Sequence, residues 1–183
     1  MKKLLISCTA FLMILTGFYS CKKLVAAVFG GTDVNAPEVQ VTIPTVFIVP
    51  PNEMSLGTYS FHFNLDSIVR ANTGGIFGAN VVNSIKVKQV VVNLTNADQV
   101  NNLANFESAR VTLQSDVNNT PAEILSVNVP DVFASTQTYT PTNTPDLTPY
   151  LKGSDISYTV YGKMRRITTK PLNMVINITL RAD

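Results

Sequence analysis

The chain has no tryptophan, one histidine and two cysteines in 183 residues. Both cysteines, Cys8 and Cys21, fall near the N-terminus. Each shortage excludes a class of chemistry. A structural zinc site needs several His or Cys ligands, so none can be assembled from His62 alone. A Ser-His-Asp hydrolase needs an imidazole oriented by a carboxylate. On a strand, Asp66 would share the face of His62 about 13 Å away, beyond contact, so His62 reads as a solvent-facing strand residue. Charged residues are only 14% of the chain, against about 25% in typical soluble domains. No basic stripe interleaved with aromatics exists, which argues against nucleic-acid binding; Lys163-Met164-Arg165-Arg166 reads as a solvated turn. Asp116, Asn118 and Thr120 start like a calcium loop, but Pro121 and Val127 stand where glycine and glutamate are needed. That segment reads as an Asn-rich hairpin turn. Gly30-Gly31-Thr32 and Gly74-Gly75 lack the spacing of a phosphate cradle. The expected set of metals and cofactors is therefore empty.

What the N-terminus does contain is a targeting pattern. Lys2 and Lys3 precede an apolar block over residues 4–15, and Lys22-Lys23 end the run. About 7–15 apolar residues suit a secretory signal, whereas a spanning helix needs about 20. The four residues Phe18-Tyr19-Ser20-Cys21 resemble the looser lipoprotein cleavage boxes of Bacteroidota-type envelope lipoproteins. That resemblance implies cleavage before Cys21 and lipidation of its thiol and new N-terminus. An uncleaved signal anchor and an ordinary secretory peptide are the other two readings. With Cys21 lipidated, the mature 163 residues hold no free thiol and no disulfide framework. Removing Lys2 and Lys3 leaves 12 basic residues against 12 acidic, a formal net charge of zero.

The resemblance places residues 1–20 as signal; residues 21–36 read as a lipidated tether, and the length of the rest suits one domain over 37–183. Surface-exported lipoproteins of this type carry acidic residues after the cysteine. Lys22-Lys23 there imply an outer-membrane anchor with a periplasm-facing domain, cell-surface display being the alternative.

The domain has an all-β composition. Valine and threonine suit a pleated surface, and asparagine suits turns. Val39, Val41 and Ile43 alternate with polar residues, and the strand signal continues over 45–49, with Pro44 marking a bend or an edge. Tyr59, Phe61, Phe63 and Leu65 alternate in the clearest period-two run, which predicts a core strand. Residues 85–95 form another, whose inward phase flips around Gln89 and calls for a β-bulge. Further strands are expected at 109–114, 124–129, 156–161 and 172–180. Residues 96–106 carry Val100, Leu103 and Phe106 at helical spacing, which predicts the single helix. Residues 136–149 read as a surface connection ending in a short turn at 146–151, and Ile76 and Phe77 as exposed residues on a glycine-rich loop. The expectation is a seven- to eight-stranded antiparallel β-sandwich, immunoglobulin-like or jelly-roll, with a small closed barrel as the alternative. The pattern looks like small single-sandwich Bacteroidota-type lipoproteins.

The expected function is a non-catalytic envelope module, binding or structural, with an envelope protein or glycan as partner. A glycoside hydrolase with two remote carboxylates and an apolar-ligand carrier are the alternatives. Tyr139, Tyr150 and Tyr161 are the candidate ligand-contact aromatics. Asp66-Ser67-Ile68 resembles the Asp-Ser/Thr-apolar acceptor of Bacteroidota-type O-glycosylation, which would make Ser67 a glycosylation site; a plain strand-exit turn is the other reading.

Overall fold

Among the described residues, alternating apolar residues close into nine strands. The computed structural model describes residues 32–72, 74–76 and 78–183; the signal, Cys21 and Phe77 lie outside these. The strands are β1 (Thr32–Asn35), β2 (Val39–Ile43), β3 (Met54–His62), β4 (Ile85–Leu94), β5 (Phe106–Ser115), β6 (Ala122–Asn128), β7 (Thr136–Tyr139), β8 (Asp155–Met164) and β9 (Leu172–Ala182). One sheet runs β1-β9-β4-β7, with β2 also on β9; the other runs β3-β8-β5-β6. All pairings are antiparallel. Nested pairs β2 with β9, β3 with β8, β4 with β7 and β5 with β6 make this sandwich a jelly roll rather than an immunoglobulin-like fold or a closed barrel.

β1 and β2 follow one another along the same edge of β9, from Ala182 back to Leu172. Pro37 sits in the break between them, where its missing N–H costs no ladder bond. The sandwich thus includes residues 32–35, part of the stretch read as tether. The phase flip in β4 is a bulge: pairing to β9 skips from Val87 to Gln89, leaving Lys88 as the extra residue.

Three expectations fail locally. The alternation through Leu65 does not continue as strand. Asn64 accepts a hydrogen bond from Ser67 N–H at 2.8 Å and starts helix α1 (Leu65–Asn72). Leu65 and Val69, one turn apart, are buried by that helix, and β3 is an edge strand. The helix expected over 96–106 is instead loop, a 3-10 turn (Leu103–Asn105) and the start of β5. Asparagines there bond the backbone and one another, which competes with the helical ladder. Residues 45–49 are also loop, bounded by Pro44 and Pro50. A second short helix, α2 (Thr148–Leu151), ends the 136–149 stretch, where Asp146 accepts from Thr148 N–H at 3.0 Å and its hydroxyl at 2.7 Å. That stretch also contributes β7.

The core between the sheets is filled by Ile43, Leu113, Ile156, Leu172 and their neighbours, all fully buried. Its interior void is about 20 Å³, room for no more than a water molecule. Tyr158 is buried there, its ring tilted 37° against Phe61 at 5.2 Å between centroids, and among the described residues its hydroxyl has no hydrogen-bond partner. Burial drives its phenol upward. An unsatisfied buried hydroxyl costs about 1–3 kcal/mol. Tyr158→Phe is therefore expected to stabilise the fold by about 1 kcal/mol, seen as a raised melting temperature.

Candidate functional site

The jelly roll sorts its connections by end. Strands alternate in direction, so the β2–β3, β4–β5, β6–β7 and β8–β9 connections gather at one end. The other end holds α1, α2, the hairpin turn between β5 and β6, and the entry of the chain at Thr32, which pairs with Ala182.

The four gathered loops expose large apolar side chains. Phe47 is 81% and Ile48 83% exposed on the β2–β3 loop, and Val132 is 69% exposed on the β6–β7 loop. Phe133, Val100 and Ile167 are about half exposed on the β6–β7, β4–β5 and β8–β9 loops. Soluble domains usually keep exposed apolar side chains scattered, whereas these share one end of the sandwich.

Polar groups beneath them hold the loops together. Asn101, Asn102, Asn105 and Thr168 are all buried. Val46 N–H donates to Thr168 Oγ1 at 2.8 Å and Thr168 N–H returns a bond to Val46 O at 3.0 Å, joining the β2–β3 and β8–β9 loops. Asn101 Nδ2 donates to Thr169 Oγ1 at 2.9 Å, and Thr169 N–H donates to Asn101 Oδ1 at 2.8 Å. Asn105 Nδ2 donates to Ile167 O at 2.8 Å while its Oδ1 accepts from Asn102 N–H at 2.8 Å. Leu103 N–H donates to Ala134 O at 2.9 Å, tying in the β6–β7 loop. Arg165 is not the solvated turn residue its sequence suggests. Its guanidinium donates to the carbonyls of Ala104 (3.0 Å), Phe106 (2.7 Å) and Val129 (2.8 Å).

The charges of these loops cancel. Arg166 pairs with Asp131, Lys170 with Asp98 at 2.6 Å, and Glu53 with Arg110 at 2.5 Å. Lys170, then the Asn101 N–H and amide, hold the Asp98 carboxyl far below its usual range. A carboxyl lowered on folding stabilises the fold when ionised. That contribution is present above the unfolded value near pH 4 and is lost as pH falls toward the folded one. Thermal stability is thus expected to decline below about pH 4, and Asp98→Asn to flatten that decline.

The residues singled out from sequence do not converge. Tyr139 pairs with buried Val90 and points into the edge of the core. It borders a groove of about 420 Å³ between the free edge of β6 and residues 140–144. Tyr150 packs against the core from α2, at the opposite end from the loops. Tyr161 lies on the outer face of the other sheet under Arg110, whose guanidinium sits 4.0 Å from the ring centroid. All three are half-buried rather than exposed. Ser67 is exposed in the first turn of α1, so the strand-exit turn is a helix start. His62 is solvent-facing on β3, 3.6 Å from Asp155.

A second groove, of about 350 Å³, contains Asp66 and Asp116. Both carboxylates are already engaged. Asp66 binds Arg70 at 2.6 Å and Ala79 N–H at 2.9 Å, which lower it. Desolvation acts most strongly on Asp116 and raises it. Bonds from the Ser154 N–H, the Asp155 backbone and the Ser154 hydroxyl together bring it below its usual range. Lowered carboxyls make poor proton donors at neutral pH. Among the described residues no group of three or more His, Cys, Asp or Glu converges as a metal site. No helix there is long and apolar enough to cross a membrane.

Sequence reasoning missed the loop end because Phe47 and Ile48 were read into a strand and Val100 into a helix. The available signal was apolar residues fenced by prolines, Pro44 with Pro50-Pro51, and Pro130 before Val132 and Phe133. Proline has no N–H to give a central ladder, so these fences keep the residues between them out of a strand.

No protein-family model and no curated protein matches the chain. Solved structures similar to it are distant. The family 32 CBM from C. perfringens NanJ, in complex with galactose, aligns over 81% of this chain and 99% of its own, at 8% identity and a TM-score of 0.36. The Triatoma Virus structure aligns over 85% of this chain and 64% of its own, at 10% identity and a TM-score of 0.36. The infectious bursal disease virus subviral particle aligns over 83% and 31%, at 7% identity and a TM-score of 0.36.

Proposed function

We propose that this chain is a non-catalytic envelope lipoprotein, held in the outer membrane by lipid on Cys21, whose jelly roll is a binding module working through its four-loop end. The observation that carries this reading is the cluster of exposed apolar side chains on loops fixed by a buried polar network, at the end opposite Thr32. Binding sites of this kind need a rigid base so that little ordering entropy is lost on association. The filled core gives the apolar-carrier alternative no chamber to use.

Two or three acyl chains anchor firmly where one does not, since each buried methylene contributes about 0.8 kcal/mol. Radiolabelled fatty acid is therefore expected to enter the wild-type chain and to be lost in Cys21→Ala; an unlabelled wild type would refute the anchor. Lys22-Lys23 favour the periplasmic face, and digestion of the domain by protease added to intact cells would refute that. The exposed position of Ser67 is compatible with O-glycosylation, and intact-mass measurement of the mature chain decides it.

A further inference from the structure

We infer that the free edge of β6 takes an extended segment of another polypeptide as an added strand, in the channel closed by residues 140–144. The inference goes beyond the loop-end reading and does not rest on it. The backbone register, the two walls and the lining of the channel select the occupant.

The register leaves defined backbone groups unpaired. β6 is the last strand of its sheet and, among the described residues, pairs with β5 alone. Val129 N–H donates to Glu107 O at 2.9 Å. Bonded and non-bonded pairs alternate along an antiparallel ladder. Counting back from Val129, Val127 with Ala109 and Leu125 with Val111 are bonded pairs, whereas Asn128 with Ser108 and Ser126 with Arg110 are not. The N–H and C=O groups of Ser126 and Asn128 therefore point away from β5. Residues 125–128 keep unbroken register with β5, so these groups stand at the spacing of a ladder. Backbone donors and acceptors at that spacing are matched by another strand.

The walls require that strand to come alone. The groove of about 420 Å³ lies between β6 and Thr140-Pro141-Thr142-Asn143-Thr144. Among the described residues no backbone bond joins that wall to β6, and Pro141 has no N–H to offer. A folded copy of this chain presenting its own β6 edge would bring its β5 and its residues 140–144 as well. A gap of this volume between two walls has no room for them. A flat bilayer surface does not enter it either.

The lining sets the sequence of the guest. Successive residues of a strand face opposite ways. Guest residues opposite Leu125 and Val127 turn inward, onto these two side chains and Tyr139. Those opposite Ser126 and Asn128 turn outward, beside two exposed polar side chains. The segment recognised thus alternates apolar and polar residues. A glycan finds no aromatic platform here. Tyr139 packs against the core, and the ring of Tyr161 is covered by Arg110 at 4.0 Å.

The test uses the full chain in intact cells, with benzoylphenylalanine in place of Ser126 or Thr142, one on each wall. Controls place it at Ser60 and Asn177, exposed on the outer faces of β3 and β9. The expected result is adducts from both walls to one segment of one other protein, and none from the controls. That segment, made as a peptide, is expected to bind the purified full chain. Methylating its amide nitrogens on one alternating phase is expected to weaken binding by about 30-fold or more, and on the other phase by less than about threefold. Ser126→Pro removes an edge N–H that β5 does not use. It is expected to weaken binding by about tenfold with the melting temperature kept; should it unfold the chain, the methylated peptides decide alone. Phe47→Ser with Ile48→Ser is expected to leave the peptide affinity unchanged, which separates this site from the loop end. Loss of affinity in that variant overturns the inference. So do adducts to lipid, to glycan or to this chain itself, equal adducts from the controls, none from the walls, or equal losses from both methylation phases.

Discussion

Asn105→Leu is expected to lower the unfolding free energy by about 3 kcal/mol. Asn105 is 2% exposed, and its side chain makes two bonds of opposite sense, accepting from Asn102 N–H and donating to Ile167 O. Leucine fills a similar volume but satisfies neither. The buried Asn102 N–H is then left without a partner, and the part-buried Ile167 C=O loses its donor, the buried group alone costing about 1–3 kcal/mol. The effect should also be directional. The Asn105 side chain is one link between the 3-10 turn and the β8–β9 loop, so amide exchange at residues 165–171 should accelerate more than at β5 or β8. Asn96 offers the contrast. It makes two comparable bonds, to Pro171 O and from Asn173 N–H, but on the exposed surface. Water replaces those partners, so Asn96→Ala should cost less than about 1 kcal/mol. Denaturant titration of both variants measures the difference.

Leu113→Ala is expected to cost about 3–4 kcal/mol, while Phe47→Ser costs about 0.5 kcal/mol or less. Leu113 is fully buried on β5, a central strand flanked by β8 and β6. Truncation removes three carbons from the shared core, about 2.4 kcal/mol at 0.8 kcal/mol per buried methylene. The cavity left between two sheets that cannot fully collapse adds the rest. Phe47 is a larger hydrophobe, yet at 81% exposed it contributes little packing to lose. The folded chain gains nothing from Phe47 or Ile48 in water. Serine at those two positions should leave the melting temperature nearly unchanged while removing the interaction assigned to the loop end. Equal destabilisation by both substitutions would mean that the β2–β3 loop packs as core.

The contrast between these residues also explains what could be read before any coordinates. Period-two alternation at Val39–Ile43, Ile85–Leu94 and Leu172–Ala182 was legible because a sheet with one buried face enforces it residue by residue. The β4 bulge was legible for the same reason, since the inward phase must recover after the extra Lys88. The α1 helix was missed because Phe63 and Leu65 prolong the strand rhythm, while the Asn64 cap that breaks it is a single polar residue. The loop end was missed because its function breaks the rule used to find strands. Phe47, Ile48 and Val100 are apolar without being buried, and spacing alone assigned them to a core. The network beneath them joins residues as far apart as Val46 and Thr168, a pairing that local spacing does not encode. The tyrosines failed as a site for a related reason: Tyr139 and Tyr161 face opposite sides of different sheets, which only the pairing reveals.

The surface that the chain uses is measured most directly by amide hydrogen exchange on the protein in its native envelope, compared with the same protein purified in detergent. Protection gained in the envelope at residues 44–50 and 129–135, with the outer faces of both sheets unchanged, is the predicted result. Protection confined to the β6 edge and residues 139–144, or to the sheet faces, with the four loops exchanging alike in both samples, would contradict it.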